Sequence, residues 1–136
     1  MSSAYSSTPL AKKLGIKVGY KIKLVNAPQH YLGLFTDMPD NIDFMPGKTA
    51  KKDFIHFFTK DEQELLDLLP QLKQEIVPAG IIWVSWPKKS SGIPSTVSEN
   101  MIRDIAIANG LVDIKVCAVD ETWSGLKLVI PVKDRH

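Results

Sequence analysis

Asn26, Gln29 and His30 place two amides and an imidazole around Pro28. Pro28 fits the first turn of a helix, so these side chains stand where a strand would give way to a helix. A helix start carries unpaired N–H groups and a partial positive charge, and suits an anion or a carboxylate. Asn26 is equally well placed simply to cap that helix. His30 is a candidate base, a role that needs a partner within hydrogen-bond reach. A second group is Lys88, Lys89 and Ser90, followed by Ser91 and Gly92. Two cations, hydroxyls and a glycine after an apolar run suit a phosphate. The order is not that of a P-loop, where the glycines precede the lysine, and a solvated loop is the simpler reading. Trp86 and Trp123 lie at or near loop positions, where aromatic rings either stack on a ligand ring or pack the rim of the core. Thr59, directly after an apolar run, completes the candidate set.

The other reactive side chains read as structural. His56 lies inside the run Phe54–Phe58, where a histidine satisfies a hydrogen bond in the core. Cys117 sits in an alternating strand, and only Lys115 nearby would lower its pKa. Asp120 and Glu121 form an acidic pair in a turn, a pattern open both to acid–base division of labour and to solvation. Ser85 and Ser124 lack the G-x-S-x-G setting of a hydrolase nucleophile. No His/Cys spacing matches a metal site.

Alternating strands and helices must position these residues. Leu10–Leu14 is a helical turn or two, with Gly15 as its cap. Lys21–Asn26 reads as a strand, Gln29–Phe35 as a short helix and Ile42–Met45 as a brief strand. Asp53–Phe58 is nearly all apolar, the look of a strand covered on both faces. Thr59-Lys-Asp-Glu62 matches a capping box. The helix expected after it carries Leu65, Leu68, Leu69, Leu72 and Ile76 on one face, is kinked or split by Pro70, and ends at Pro78 and Gly80. Ile81–Trp86 is a third apolar strand. Thr96-Val-Ser-Glu99 is a second capping box, opening a helix through Met101, Ile102, Ile105 and Ala108 that stops at Asn109-Gly110. Val112–Ala118 and Leu126–Ile130 alternate around Asp120–Gly125, as an antiparallel hairpin does.

That order predicts an α/β fold, a small three-layer, Rossmann-like, mostly parallel sheet ending in an antiparallel hairpin. Ligands in such sheets bind beyond the carboxyl ends of the parallel strands, at the switch point. The turns after Asn26, Thr59 and Trp86 answer that description.

Composition sets the bounds. A chain of 136 residues is one ordinary domain, expected over residues 10–136 after a polar arm over residues 1–9. Seventeen Lys+Arg against fifteen Asp+Glu leave +2, which gives no basis for a nucleic-acid or anionic-membrane partner. One cysteine excludes an intrachain disulfide. No apolar run approaches the ~18 residues of a membrane span, and the N-terminus lacks the layout of a secretory signal. A cytoplasmic location is the expectation.

The layout, from about Leu14 to Val132, resembles that of class I S-adenosylmethionine-dependent methyltransferases, with the strand in Gly80-Ile-Ile-Trp-Val-Ser-Trp-Pro-Lys88 coming late and a hairpin over Leu111–Val132 closing the sheet. Three phrases also resemble a bacterial family of short proteins catalogued as a domain of unknown function: Leu14–Gly19, Trp83–Lys89 and Val112–Ile130. The methyltransferase resemblance implies a glycine-rich turn after the first strand and an acidic residue ending the second. Here those places read Asn26-Ala-Pro-Gln-His30, without glycine, and Met45-Pro46-Gly47, without a carboxylate.

The function expected is therefore a non-catalytic binding module with no cofactor, taking a small anionic or aromatic ligand or a protein partner over the carboxyl edge. The alternative implied by the resemblance is a methyltransferase that grips S-adenosylmethionine without the usual turn, with Asn26, His30 and Thr59 lining the pocket. A homodimer joined through a sheet edge or an apolar helix face is the third expectation.

Overall fold

The computed structural model describes residues 8–136; most of the expected arm lies outside the described residues. Helix α1 (Leu10–Leu14) ends on Gly15, whose φ of 87° is the left-handed conformation a helix C-terminus favours. The strands are β1 (Lys21–Val25), β2 (Asp43–Phe44), β3 (Lys52–Phe58), β4 (Ile76–Pro87), β5 (Val112–Ala118) and β6 (Trp123–Val129). Helices α2 (Glu62–Lys73) and α3 (Glu99–Ala108) connect β3 to β4 and β4 to β5. The six strands form one sheet in the order β2-β1-β3-β4-β6-β5. β1 pairs in parallel with β2 and β3, and β3 with β4. β6 runs antiparallel to both β4 and β5.

Three layers result, because the buried strands carry apolar side chains on both faces. Ile55, Phe57, Ile82, Val84, Leu126 and Leu128 pack under α2 and α3, against Leu65, Leu69, Leu72, Ile102 and Ala106. Ile22, Phe54, Ile81, Trp83 and Val129 face the other way, against Ala11, Leu14 and Ile16. The Trp83 indole donates to Leu14 O at 2.8 Å, which locks α1 to the sheet. Every buried side-chain nitrogen and oxygen among the described residues has a hydrogen-bond partner.

Several local expectations shift. The segment after β1 is a single 3-10 turn, Tyr31–Leu34, in place of a helix over Gln29–Phe35. The second strand shrinks to Asp43–Phe44. Helix α2 starts two residues later than the Thr59–Glu62 box implies: Asp61 is its N-cap and accepts from Glu64 N at 2.9 Å. The second box shifts by two as well, since Ser98 caps α3 while Thr96 Oγ1 accepts from Glu62 N at 2.8 Å. Pro70 does not split α2, which continues to Lys73; it costs one backbone bond near the end of a helix anchored by three buried leucines. Ile76, Pro78 and Gly80 belong to β4, whose pairing with β3 is irregular there. A Cβ at Gly80 would lie 2.8 Å from Ile76 Cβ and 2.9 Å from Val77 O, so this bend accepts glycine alone.

Candidate functional site

The strand order locates the switch point. β1 has β2 on one side and β3 on the other, so the chain reverses its winding direction between the carboxyl ends of β1 and β3. A crevice of about 330 Å³ opens there, lined by Asn26, Phe58, Thr59, Lys60, Glu64 and Trp123. Asn26 follows β1 at φ 59°, a left-handed conformation that asparagine tolerates better than other residues with a Cβ. The sharp turn is thus made without glycine, and the side chain that glycine lacks is put to use. Asn26 Nδ2 donates to Phe58 O and to Glu64 Oε2, each at 3.1 Å.

Thr59 is buried and continues β3, its N–H donating to Ser85 O at 2.9 Å. Its hydroxyl donates to Glu64 Oε1 at 2.7 Å and accepts from Asp61 N at 3.3 Å. Each oxygen of the Glu64 carboxylate therefore holds one donor from the protein. A carboxylate accepts about four hydrogen bonds, so acceptor capacity is left over for a ligand. Glu64 also lies in the first turn of α2, where a negative charge is favoured.

Aromatic packing supports the other wall. Phe58 and Trp123 meet edge to face with centroids 5.1 Å apart. Phe58 stacks on the His56 ring at 4.2 Å. His56 is fully buried, with Nδ1 2.9 Å from Tyr31 Oη and Nε2 2.7 Å from Ser85 Oγ. Burial pushes its pKa down to about 3, so the ring is neutral. Burial pushes the Tyr31 phenol above its ordinary value. This chain of buried side chains backs Phe58.

The structure unites only part of the expected set. Asn26 and Thr59 line the crevice, and Lys60, Glu64, Phe58 and Trp123 join them. Gln29 and His30 are exposed, and the four-residue 3-10 turn beside them offers no helix N-terminus for an anion. His30 Nε2 lies instead 3.2 Å from Asp120 Oδ2. Trp86 leaves the rim and packs against the core under α2 and α3. Lys88 is held in the fold, its Nζ donating to Asp120 O at 2.7 Å and its N–H to Thr122 O at 2.8 Å. Lys89 and Ser90 are exposed in a 3-10 turn. None of Lys88, Lys89 and Ser90 lines the crevice itself. Glu64 is hard to find from sequence because one of its two partners, Asn26, is 38 residues away. The signal that existed was a second carboxylate in the first turn of α2.

No group of three or more His, Cys, Asp or Glu side chains among the described residues is arranged to hold a metal ion. No described helix is long and apolar enough to cross a membrane.

Comparisons with known proteins bear on the family and the fold. A family model described as a protein of unknown function (DUF3052) matches residues 48–132. A search of curated proteins finds no match. Among solved structures, the chain is similar to an S-adenosylmethionine-dependent methyltransferase from Aquifex aeolicus, with a TM-score of 0.63 and 18% identity over 89% of this chain and 87% of that one. It is similar to the ribosomal protein L11 methylase of Lactobacillus delbrueckii subsp. bulgaricus, with a TM-score of 0.59 and 15% identity over 89% of this chain and 74% of that one. It is also similar to magnesium protoporphyrin IX methyltransferase from Synechocystis PCC 6803 with bound S-adenosylhomocysteine, with a TM-score of 0.59 and 12% identity over 88% and 77% of the two chains. At these identities the likeness shows a shared fold: the Rossmann-like, methyltransferase-like α/β sandwich.

Proposed function

The chain belongs to the family described as a protein of unknown function (DUF3052), and on that premise we propose that it binds a compact nucleoside-type ligand at the switch point between β1 and β3. The observation that carries this reading is the Glu64 carboxylate, aligned by Asn26 and Thr59 and facing the crevice beside Phe58 and Trp123. A carboxylate with spare acceptor capacity suits the vicinal hydroxyls of a ribose, and aromatic walls suit a planar base. A crevice of about 330 Å³ is at the lower end of small-molecule sites, which run from about 300 to 1,000 Å³.

The S-adenosyl compounds are the first candidates. The glycine-free turn is compatible with them at the backbone, because Asn26 adopts the left-handed conformation itself. Glu64 would take the ribose hydroxyls, and Phe58 and Trp123 would take the ring. The similarity to S-adenosylmethionine-dependent methyltransferases supports a second reading, methyl transfer from that ligand in the same crevice. Bound S-adenosylmethionine would supply an electrophilic methyl group; the residues of this chain would bind and orient it.

Calorimetric titration with adenosine, S-adenosylhomocysteine and S-adenosylmethionine tests the proposal. Saturable binding that weakens roughly 10-fold or more in Glu64→Gln is expected, since a hydrogen bond to a charged group contributes about 1.5–3 kcal/mol. Absence of heat for all three ligands, or equal affinity in the variant, overturns it. Methyl transfer to a panel of acceptors by the wild-type chain would single out the second reading.

A further inference from the structure

His30 and His56 are built in opposite ways. Both nitrogens of His56 are engaged, by Tyr31 and Ser85, and its ring is shut away from solvent. His30 commits one nitrogen alone. Its Nε2 lies 3.2 Å from Asp120 Oδ2, while Nδ1 has no partner among the described residues and the side chain is 59% exposed. Asp120 is the fixed member of the pair. Its side chain is 17% exposed, and its Oδ1 accepts from Thr122 N and Trp123 N, each at 2.8 Å. Those two bonds secure the turn between β5 and β6 and leave Oδ2 to the imidazole. Lys88 Nζ donates to Asp120 O at 2.7 Å and steadies the same turn. A carboxylate that holds one imidazole nitrogen and leaves the other open is the arrangement that orients a general base. A closed circuit of contacts ties this pair to the crevice. Asp120 holds the Trp123 amide, the Trp123 ring meets Phe58 at 5.1 Å, Phe58 meets Tyr31 edge to face at 5.7 Å, and Tyr31 follows His30 in the chain. Phe58 and Trp123 both line the crevice.

Resting on the methyl-transfer reading above, we propose that His30 is a catalytic base beside the switch-point crevice, positioned by Asp120, and that the methyl acceptor is a hydroxyl or an amine. The acceptor oxygen or nitrogen forms a bond to the sulfonium methyl carbon. The carbon–sulfur bond breaks with its electron pair going to sulfur, and the acceptor's proton passes to His30 Nδ1. Asp120 faces the imidazolium that results. Histidine suits this work because it takes and returns a proton near neutral pH. The acceptor class follows from the same chemistry: a hydroxyl or an amine carries a proton that must leave as it is methylated, whereas a tertiary amine or a thioether has none to give.

The test uses the full chain with S-adenosylmethionine, and with catechol and tyramine as hydroxyl and amine acceptors. Transfer to at least one of them is expected. His30→Gln should lower kcat about 100-fold or more while the KM for S-adenosylmethionine stays within about twofold. Asp120→Asn keeps the oxygen that secures the turn but presents an N–H to the ring, which turns the ring's proton onto Nδ1, so kcat should fall as well. Heteronuclear NMR of the imidazole nitrogens separates this from a merely structural tie. The proton of neutral His30 is expected on Nε2 in the wild-type chain and on Nδ1 in Asp120→Asn, and the ring signals should shift when S-adenosylhomocysteine is added. Should Asp120→Asn fail to fold, the wild-type tautomer and the ligand shift still decide. No transfer to either acceptor, kcat unchanged in His30→Gln, or a wild-type proton on Nδ1 would overturn the proposal. Calorimetry tells the two failures apart: S-adenosylhomocysteine bound without these effects removes the base and leaves the nucleoside site, whereas no binding removes both.

Discussion

Thr59 Oγ1 donates to Glu64 Oε1 at 2.7 Å, so the last buried position beyond β3 holds the carboxylate of the first turn of α2. With Asn26 on the other oxygen, Glu64 is fixed before any ligand arrives. Preorganisation of this kind lowers the ordering cost of binding. We expect Thr59→Val to keep the shape of the crevice and weaken nucleoside binding less than Glu64→Gln does. Calorimetry on the two variants side by side checks that ranking. Equal losses would mean that Thr59 matters as much through contact with the ligand as through Glu64.

Asn26 offers a second test, because its backbone and side chain can be separated. Asn26→Gly keeps the left-handed turn at φ 59° and removes the bonds to Phe58 O and Glu64. Asn26→Ala removes the same bonds and adds backbone strain of about 1–2 kcal/mol. The alanine variant should therefore melt lower than the glycine variant, with both losing alignment of Glu64. Identical melting temperatures would show that the turn relaxes out of the left-handed region.

Much of this architecture was legible in the chain, and the misses have physical causes. The nearly all-apolar runs at Phe54–Phe58 and Ile81–Trp86 announce strands covered on both faces, and the period-two alternation after Leu111 announces the hairpin. Ile76 continued the helical spacing of Leu65, Leu69 and Leu72, yet it opens β4; an apolar residue one turn beyond a helix satisfies a strand's burial equally well. Both capping boxes point two residues early, because Thr59 and Thr96 precede the Asp61 and Ser98 that cap. The region of the crevice was readable from the order of the elements. Its chemistry was not, because it depends on contacts such as Asn26 with Glu64 and His30 with Asp120, the latter 90 residues apart.

His56 makes the acid side of the stability curve predictable. Its folded pKa is depressed to about 3 from an ordinary 6.5, by burial. Its contribution is fully present above pH 6.5 and is lost as pH falls toward 3. Linkage for one such group gives about 2 kcal/mol between pH 7 and pH 5. Urea unfolding at the two values should show a loss of that size, and a flat profile would contradict the neutral, buried imidazole. His56→Ala should cost about 3–5 kcal/mol at pH 7, through the cavity and the stranded hydroxyls of Tyr31 and Ser85.

Glu75 carries a buried negative charge. Lys23 Nζ and Lys52 Nζ lie 2.7 and 3.1 Å from its Oε1, and Lys52 also donates to Gly47 O. Burial alone would raise the Glu75 pKa, but the bonds from Lys23 and Lys52 outweigh it and hold the carboxyl below its ordinary value. This contribution is present above pH 4.5 and lost below it. Glu75→Ala leaves the fully buried Lys52 ammonium without its counter-charge, a change that costs about 3–5 kcal/mol. Chemical denaturation of that variant should show such a loss, and a change within 1 kcal/mol or so would mean that Lys52 finds water.

Indole resonances provide the most direct reading of the switch-point crevice. The chain has three tryptophans, of which Trp123 alone lines the crevice, while Trp83 is buried against Leu14. In a heteronuclear NMR titration with S-adenosylhomocysteine, the Trp123 indole N–H and the Asn26 and Thr59 amides should move together and saturate, with the Trp83 indole still. Unmoved Trp123, Asn26 and Thr59 signals at millimolar ligand, or shifts clustered elsewhere on the surface, would contradict a nucleoside site at this position.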